Sequence, residues 1–170
     1  MRTSFSQIMK NITTSLCAAL LTLAPVTAFS QEAKAAEKKA EVKADREIVV
    51  TCNDSMQFDK KAIDVKVGET VKITLKNVGK APKVAMGHNF VILKAGANLM
   101  AIAPKAATAA ANEYIPQDAD SKAAILGHTK LLGPGETDSM TFKAPAAGKY
   151  EFFCSFPGHF ALMKGVITAK

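Results

Sequence analysis

Residues 148–170, "GKYEFFCSFPGHFALMKGVITAK", decide how the rest of the chain is read. "GKYEFFCSF" and "LMKGVITAK" are rich in aromatic and β-branched residues and read as two short strands. Between them lies a loop in which Pro157 and Gly158 allow the chain to fold back. Cys154 ends the first strand, His159 sits in the loop and Met163 starts the second strand. A thiol, an imidazole and a thioether are thereby brought round one point.

The same β texture extends outward from this hairpin. "EIVVTCN" (47–53) is a β-branched run, and "AIDVKVGETVKITLKNVG" (62–79) alternates apolar and polar residues on either side of a turn. "HNFVILKAG" (88–96) and "GETDSMTFKAP" (135–145) are further strand candidates, and Gly and Pro punctuate the runs. Residues 97–114, "ANLMAIAPKAATAAANEY", are rich in Ala and poor in β-branched residues. They predict one short helical insertion, broken near Pro104. The pattern predicts an all-β fold, a Greek-key sandwich or barrel of about eight strands.

The N-terminus differs in texture. Residues 1–30 pair Arg2 and Lys10 with an uncharged apolar run and a small-residue site at "AFS", the layout of a cleaved export signal. Residues 31–46 are Ala, Glu and Lys with little to build a core, and read as a solvated tether. The domain expected to fold is 47–170. Export implies a periplasmic protein with no membrane span after cleavage. The net charge is +7, of which two charges leave with residues 1–30. The positive charge is dispersed and lacks aromatic interleaving, which argues against nucleic acid and mildly favours acidic protein partners. Cys17 leaves with the signal, so Cys52 and Cys154 remain. Two cysteines in an oxidising compartment ordinarily suggest a disulfide, whereas a metal would claim the Cys154 thiolate.

His88, in "MGHN", begins a strand well upstream of the donor loop. Two imidazoles, one thiolate and a weak axial thioether are the inventory of a blue-copper centre. The thiolate suits Cu(I) and shares density with Cu(II), the imidazoles suit both states, and the thioether binds weakly. Taken singly, Cys154 and Met163 would be core residues and His88 a satisfied polar group. The spacing Cys-x4-His-x3-Met with a remote Gly-His-Asn makes that coincidence improbable. Structural zinc would want more thiolates or histidines, and multi-copper chemistry would need further histidine clusters. His128 lacks such company and reads as a surface residue.

These residues resemble the azurin family of cupredoxins. "NDSMQFDKKAI", "MGHNFV", "HTKLLGPGETDSMTF" and "FFCSFPGHFALMKGVITAK" carry the likeness from about Asn53 to Lys170. The resemblance implies one type 1 copper held by His88, Cys154 and His159, with Met163 axial and the Gly87 carbonyl a weak contact. It implies that Asn89 braces the Cys154 loop and that the amides of Asn89 and Phe156 point at the cysteine sulfur. An apolar docking patch of Met86, Phe156 and Ala161 would surround the exposed edge of His159. The implied function is one-electron transport by a monomer, without enzymatic turnover, between redox proteins such as c-type cytochromes and periplasmic reductases. A copper-buffering or delivery protein is the alternative. Three departures stand out: the family's disulfide is missing, leaving Cys52 free; Phe90 replaces a buried tryptophan; and Asn77 replaces a histidine beneath the site, so no pH-linked switch is expected there.

Overall fold

The computed structural model describes residues 43–170. The expected export signal over 1–30, and the tether up to residue 42, lie outside the described residues. The last tether residues already belong to the folded domain. The Asp45 amide donates to the Thr70 carbonyl at 2.8 Å, and the Thr70 amide donates to Asp45 Oδ2 at 2.8 Å. Composition placed the boundary at a change of texture, whereas backbone pairing begins two residues earlier.

Among the described residues nine strands form, one of them only two residues long. They are β1 (Arg46–Asn53), β2 (Gln57–Phe58), β3 (Ala62–Val65), β4 (Thr70–Asn77), β5 (Val91–Leu93), β6 (Ile125–His128), β7 (Thr137–Lys143), β8 (Gly148–Phe153) and β9 (Lys164–Ala169). One sheet has the order β2-β1-β4-β7 and the other β3-β9-β8-β5-β6. Most pairs are antiparallel, but β1/β4 and β3/β9 run parallel. The chain makes the β1/β4 pair by crossing to the second sheet as β3 before returning, which supplies the long connection that parallel neighbours need.

Alternation explains the faces. In β4, Val71, Ile73 and Leu75 are fully buried while Lys76 is exposed. Each such side chain contributes about 1.5–3 kcal/mol by leaving water. Phe90 and Phe152 stack at 4.4 Å between the sheets, with Phe58 edge-on to both at 5.1 and 5.6 Å. Phe90, where the resemblance expects tryptophan, thus fills the centre of the core.

β5 and the Phe152–Phe153 end of β8 are buried on both faces. Ile92 and Phe152 point into the core between the sheets, while Val91, Leu93 and Phe153 join a second cluster with Leu99, Ile102 and Ile115. The helical excursion supplies that outer cover, and "FVIL" (90–93) is therefore a continuous apolar run.

The excursion is longer than expected. It comprises α2 (Leu99–Ala107), a 3-10 turn (Ala110–Asn112) and α3 (Ala119–Ala124), and a separate short helix, α1 (Lys83–Met86), precedes β5. Pro104 does not break α2 but lies inside it. Its ring removes one amide donor, and the acceptor one turn back belongs to Met100, which is 60% exposed and close to solvent. The Asn98 side chain caps α2 by accepting from the Met100 amide at 2.9 Å. Among the described residues no helix is long and apolar enough to cross a membrane.

Cys52 and Cys154 are both free and buried. Cys52, in β1, is 1% exposed and its thiol is pushed up to about 12, by burial first and by Cys154 second. It is an inert core residue.

Candidate metal centre

Three segments converge at one end of the sandwich. The first follows α1. Gly87 is buried, and a Cβ there would come within 2.8 Å of the Lys83 carbonyl and 3.0 Å of Leu131, so only glycine lets the backbone pass. His88 follows at once, 0% exposed, and its backbone is paired both ways with Leu132. The His88 amide donates to the Leu132 carbonyl at 3.1 Å, and the Leu132 amide returns a bond to the His88 carbonyl at 2.7 Å.

The second segment is the loop between β8 and β9. Cys154 directly follows β8 and Met163 directly precedes β9; both are 0% exposed. The loop is tied across its neck by the Cys154 amide donating to the Met163 carbonyl at 2.9 Å. Inside it, the His159 amide donates to the Phe156 carbonyl at 3.0 Å and the Met163 amide to the His159 carbonyl at 2.7 Å. Gly158 adopts φ +80°, a left-handed turn that glycine takes without strain, and starts the 3-10 turn His159–Ala161.

The third segment, at Glu113, meets the other two through Asn89, the residue after His88. Asn89 is fully buried; its Oδ1 accepts from the Ser155 amide at 2.8 Å, and its Nδ2 donates to Ser155 Oγ at 2.7 Å and to the Glu113 carbonyl at 3.3 Å. The His88 segment, the Cys154 loop and the residue after the 3-10 turn of the helical excursion thus meet on one amide side chain.

The donor atoms of His88, Cys154 and His159 all lie within 4.8 Å of one another. Both histidines present Nδ1 to the Cys154 sulfur, at 4.0 Å for His88 and 3.6 Å for His159. A first-row metal bound at roughly 2.0–2.1 Å by nitrogen and 2.3 Å by sulfur in a trigonal plane spreads those donors about 3.8 Å apart. Soft thiolate with two imidazoles is the donor set that suits copper. The residues present fit a copper ion.

The electrostatics favour neutral imidazoles. Burial lowers the His88 pKa, opposed by Asp54 and the Asn53 backbone. His159 is 4% exposed and is pushed down to about 4, by burial first and by His88 second. Without a metal the Cys154 thiol is pushed up to about 12 by burial, although the backbone amides of Asn89 and Phe156 favour its thiolate. A cation among these atoms would reverse that last balance, since it favours the deprotonated sulfur.

Around the donors, Phe156 packs on His159 at 4.7 Å and Tyr114 meets Phe156 edge-on at 5.0 Å. Phe156 is only 7% exposed and lies beneath the surface rather than on it. Met86 is half-buried and Ala161 exposed. The strongly exposed apolar residues beside the ligand segments are Val84, at 89%, and Leu162, at 58%, neither of which the sequence singled out. Ser155, Leu132 and Glu113 were likewise not singled out. Ser155 had a legible signal, a small polar residue next to the ligand cysteine. The other two are reached only through the tertiary fold. His128 is exposed and apart from the centre. Asn77 is 2% exposed; its Oδ1 accepts from the Gly79 amide at 2.9 Å, and its Nδ2 reaches the Leu132 carbonyl at 3.4 Å.

Comparison with known proteins agrees with this geometry. A sequence model for copper binding proteins of the plastocyanin/azurin family matches residues 36–170. Azurin of Pseudomonas fluorescens biotype C is 44% identical over 131 residues, covering 75% of this chain and all of the relative. Azurin of Bordetella pertussis is 41% identical over 149 residues, 85% of this chain and 92% of the relative. Among solved structures, dithionite-reduced auracyanin from Roseiflexus castenholzii superposes with a TM-score of 0.65 at 36% identity, covering 75% of this chain and 99% of that one. An azurin from Methylomonas sp. strain J gives 0.64 at 32% identity, with the same coverage of both chains.

Proposed function

Because the chain belongs to the plastocyanin/azurin family of copper-binding proteins, we propose that it is a blue-copper electron carrier. In this reading His88, Cys154 and His159 hold one copper ion, with Met163 as the axial thioether and the Gly87 carbonyl as a weak contact. The observation that carries it is the buried cluster of two Nδ1 atoms and one sulfur within 4.8 Å. When bound, copper supplies a one-electron Cu(II)/Cu(I) couple.

The chain's own residues do the rest. His88 and Cys154 are sealed from solvent, and His159 alone of the three retains any exposure. The His159 imidazole is therefore the donor through which the centre reaches the surface. Around it, Met86, Ala161, Val84 and Leu162 form an apolar face on which a redox partner docks, with Phe156 supporting it from below. Asn89 and the Leu132 pairing fix the donors' backbones, so little moves when the charge changes. The protein acts in the periplasm as a monomer, without turning over a substrate. It exchanges electrons with proteins such as c-type cytochromes and periplasmic reductases.

The test is spectroscopic. The copper protein is expected to be intensely blue from thiolate-to-copper charge transfer, and Cys154→Ser is expected to lose that colour. Blue colour surviving the substitution would overturn the ligand reading. A reversible one-electron couple with fast self-exchange is expected; slow exchange would favour copper buffering instead.

A further inference from the structure

Among the described residues only three non-glycine residues have positive φ, and two of them are consecutive: Glu113 at +54° and Tyr114 at +62°. Left-handed backbone at a side-chain-bearing residue costs on the order of 1–3 kcal/mol and persists only where surroundings enforce it. Two in succession demand an explanation, and the contacts of this pair supply one.

Glu113 and Tyr114 directly follow the 3-10 turn (Ala110–Asn112) within the helical excursion. Their amides are held by the turn below, Glu113 donating to Ala110 at 3.2 Å and Tyr114 to Ala109 at 3.0 Å. The pair makes three contacts around the metal centre: to Asn89 beside His88, to Leu131, and to Phe156 in the Cys154–Met163 loop. The Glu113 carbonyl accepts from Asn89 Nδ2 at 3.3 Å, and Asn89 in turn holds Ser155 beside Cys154. The Glu113 carboxylate accepts from the Leu131 amide at 3.2 Å, next to Leu132, which pairs with the His88 backbone. The Tyr114 ring meets Phe156 edge-on, and Phe156 in turn packs on His159.

We propose that Glu113 is a positioning residue for the metal centre, and that its left-handed backbone exists to present a carbonyl and a carboxylate to the supports of Cys154 and His88 at once. The proposal rests on the ligand set given above. Glu113 touches no ligand side chain and acts through Asn89 and through Leu131–Leu132. An extended or helical backbone at this position would direct the carbonyl and the side chain differently and separate the two contacts. Outer supports of this kind typically change metal affinity by about 10–100-fold when lost.

Three substitutions separate the contacts from the strain. Glu113→Ala removes the carboxylate and keeps the strain, Glu113→Gly removes both, and Glu113→Gln keeps a side-chain carbonyl to accept from Leu131. Copper affinity, measured by competition with a chelator, is expected to fall about tenfold in the Ala and Gly variants and to stay within about twofold of wild type in Gln. The copper hyperfine splitting in the electron paramagnetic resonance spectrum is expected to change in the first two and be restored in the third. Affinity within about twofold of wild type and an unaltered spectrum in Glu113→Ala would overturn the proposal, as would Gln failing to rescue.

Should the Ala variant not fold, the metal-free wild type offers a second measurement. The Leu131 amide is expected to exchange with solvent slowly in wild type and Gln, and exchange at an open-loop rate would overturn the clamp. A wild-type protein that binds copper without blue colour would instead overturn the ligand reading on which the proposal rests.

Discussion

The Cys154 thiol offers the sharpest quantitative test of the centre. Burial holds it at about 12 in the metal-free fold, against an ordinary value of 9.0. In a Cys52→Ala protein, where Cys154 is the sole thiol of the folded domain, about 1% is expected to be thiolate at about pH 10, against about 90% for an ordinary thiol. The ultraviolet thiolate band reads this directly, with a Cys52→Ala/Cys154→Ala protein correcting for the two tyrosines. The shift also has a sign for stability. A pKa raised by folding contributes stability that is fully present below about pH 9 and is lost as pH rises toward about 12. By about pH 10 the metal-free Cys52→Ala protein is expected to have lost about 1.4 kcal/mol that the double variant keeps, measurable by urea unfolding at each pH. Copper must displace the same proton, so affinity is expected to keep rising about tenfold per pH unit beyond about pH 9. A thiolate band half-developed near about pH 9, or an affinity that levels off there, would refute the reasoning.

Three further outcomes follow from particular contacts. Met163→Leu is expected to keep the blue colour and raise the reduction potential, because loss of a weak thioether disfavours Cu(II) more than Cu(I). A tenfold change in relative affinity corresponds to about 59 mV for one electron by voltammetry, and an unchanged potential would argue that Met163 is not axial. Gly165→Ala is expected to cost about 3 kcal/mol or more in urea unfolding, since a Cβ there would overlap the Phe152 ring and the Lys61 carbonyl. Asn77→Ala strands the Gly79 amide and is expected to cost about 1–3 kcal/mol. The blue absorption is expected to persist, because the Leu132 carbonyl that Asn77 Nδ2 reaches at 3.4 Å keeps its shorter bond from the His88 amide at 3.1 Å.

The ligand loop was legible because its information is local. Cys154, His159 and Met163 lie in one strand–turn–strand whose Pro157 and Gly158 dictate the fold-back. β4 was equally plain, since a sheet with one wet face writes its alternation into the sequence. The parallel pairing of β1 with β4 was not plain, because both parallel and antiparallel strands alternate and nothing local distinguishes them. β6, "ILGH", carries a glycine and too few apolar residues to read as a strand, and it forms because β5 offers it an edge. α2 passes through Pro104 because Leu99, Ile102, Ala103 and Ala106 bury one face. Packing outweighs one lost hydrogen bond, a balance that propensity alone does not contain. The left-handed pair at Glu113 and Tyr114 has no signature in a sequence, since neither residue type favours that backbone.

The exposed face gains meaning from where its residues come from. A single exposed valine or leucine is ordinary on a protein surface. Val84, however, belongs to the four-residue helix that delivers Gly87 and His88, and Leu162 stands between the His159 turn and Met163. Neither segment has room for an independent docking element: each is a few residues long and already committed to placing a ligand. The same backbone therefore sets the donors and presents the apolar surface, and the two cannot shift apart. A partner seated on Val84 and Leu162 would press on segments whose carbonyls and amides are already paired with Leu132, Phe156 and His159. On the proposed reading, that arrangement would let the face be covered and uncovered repeatedly without displacing the donors, as a carrier that meets its partners only briefly requires.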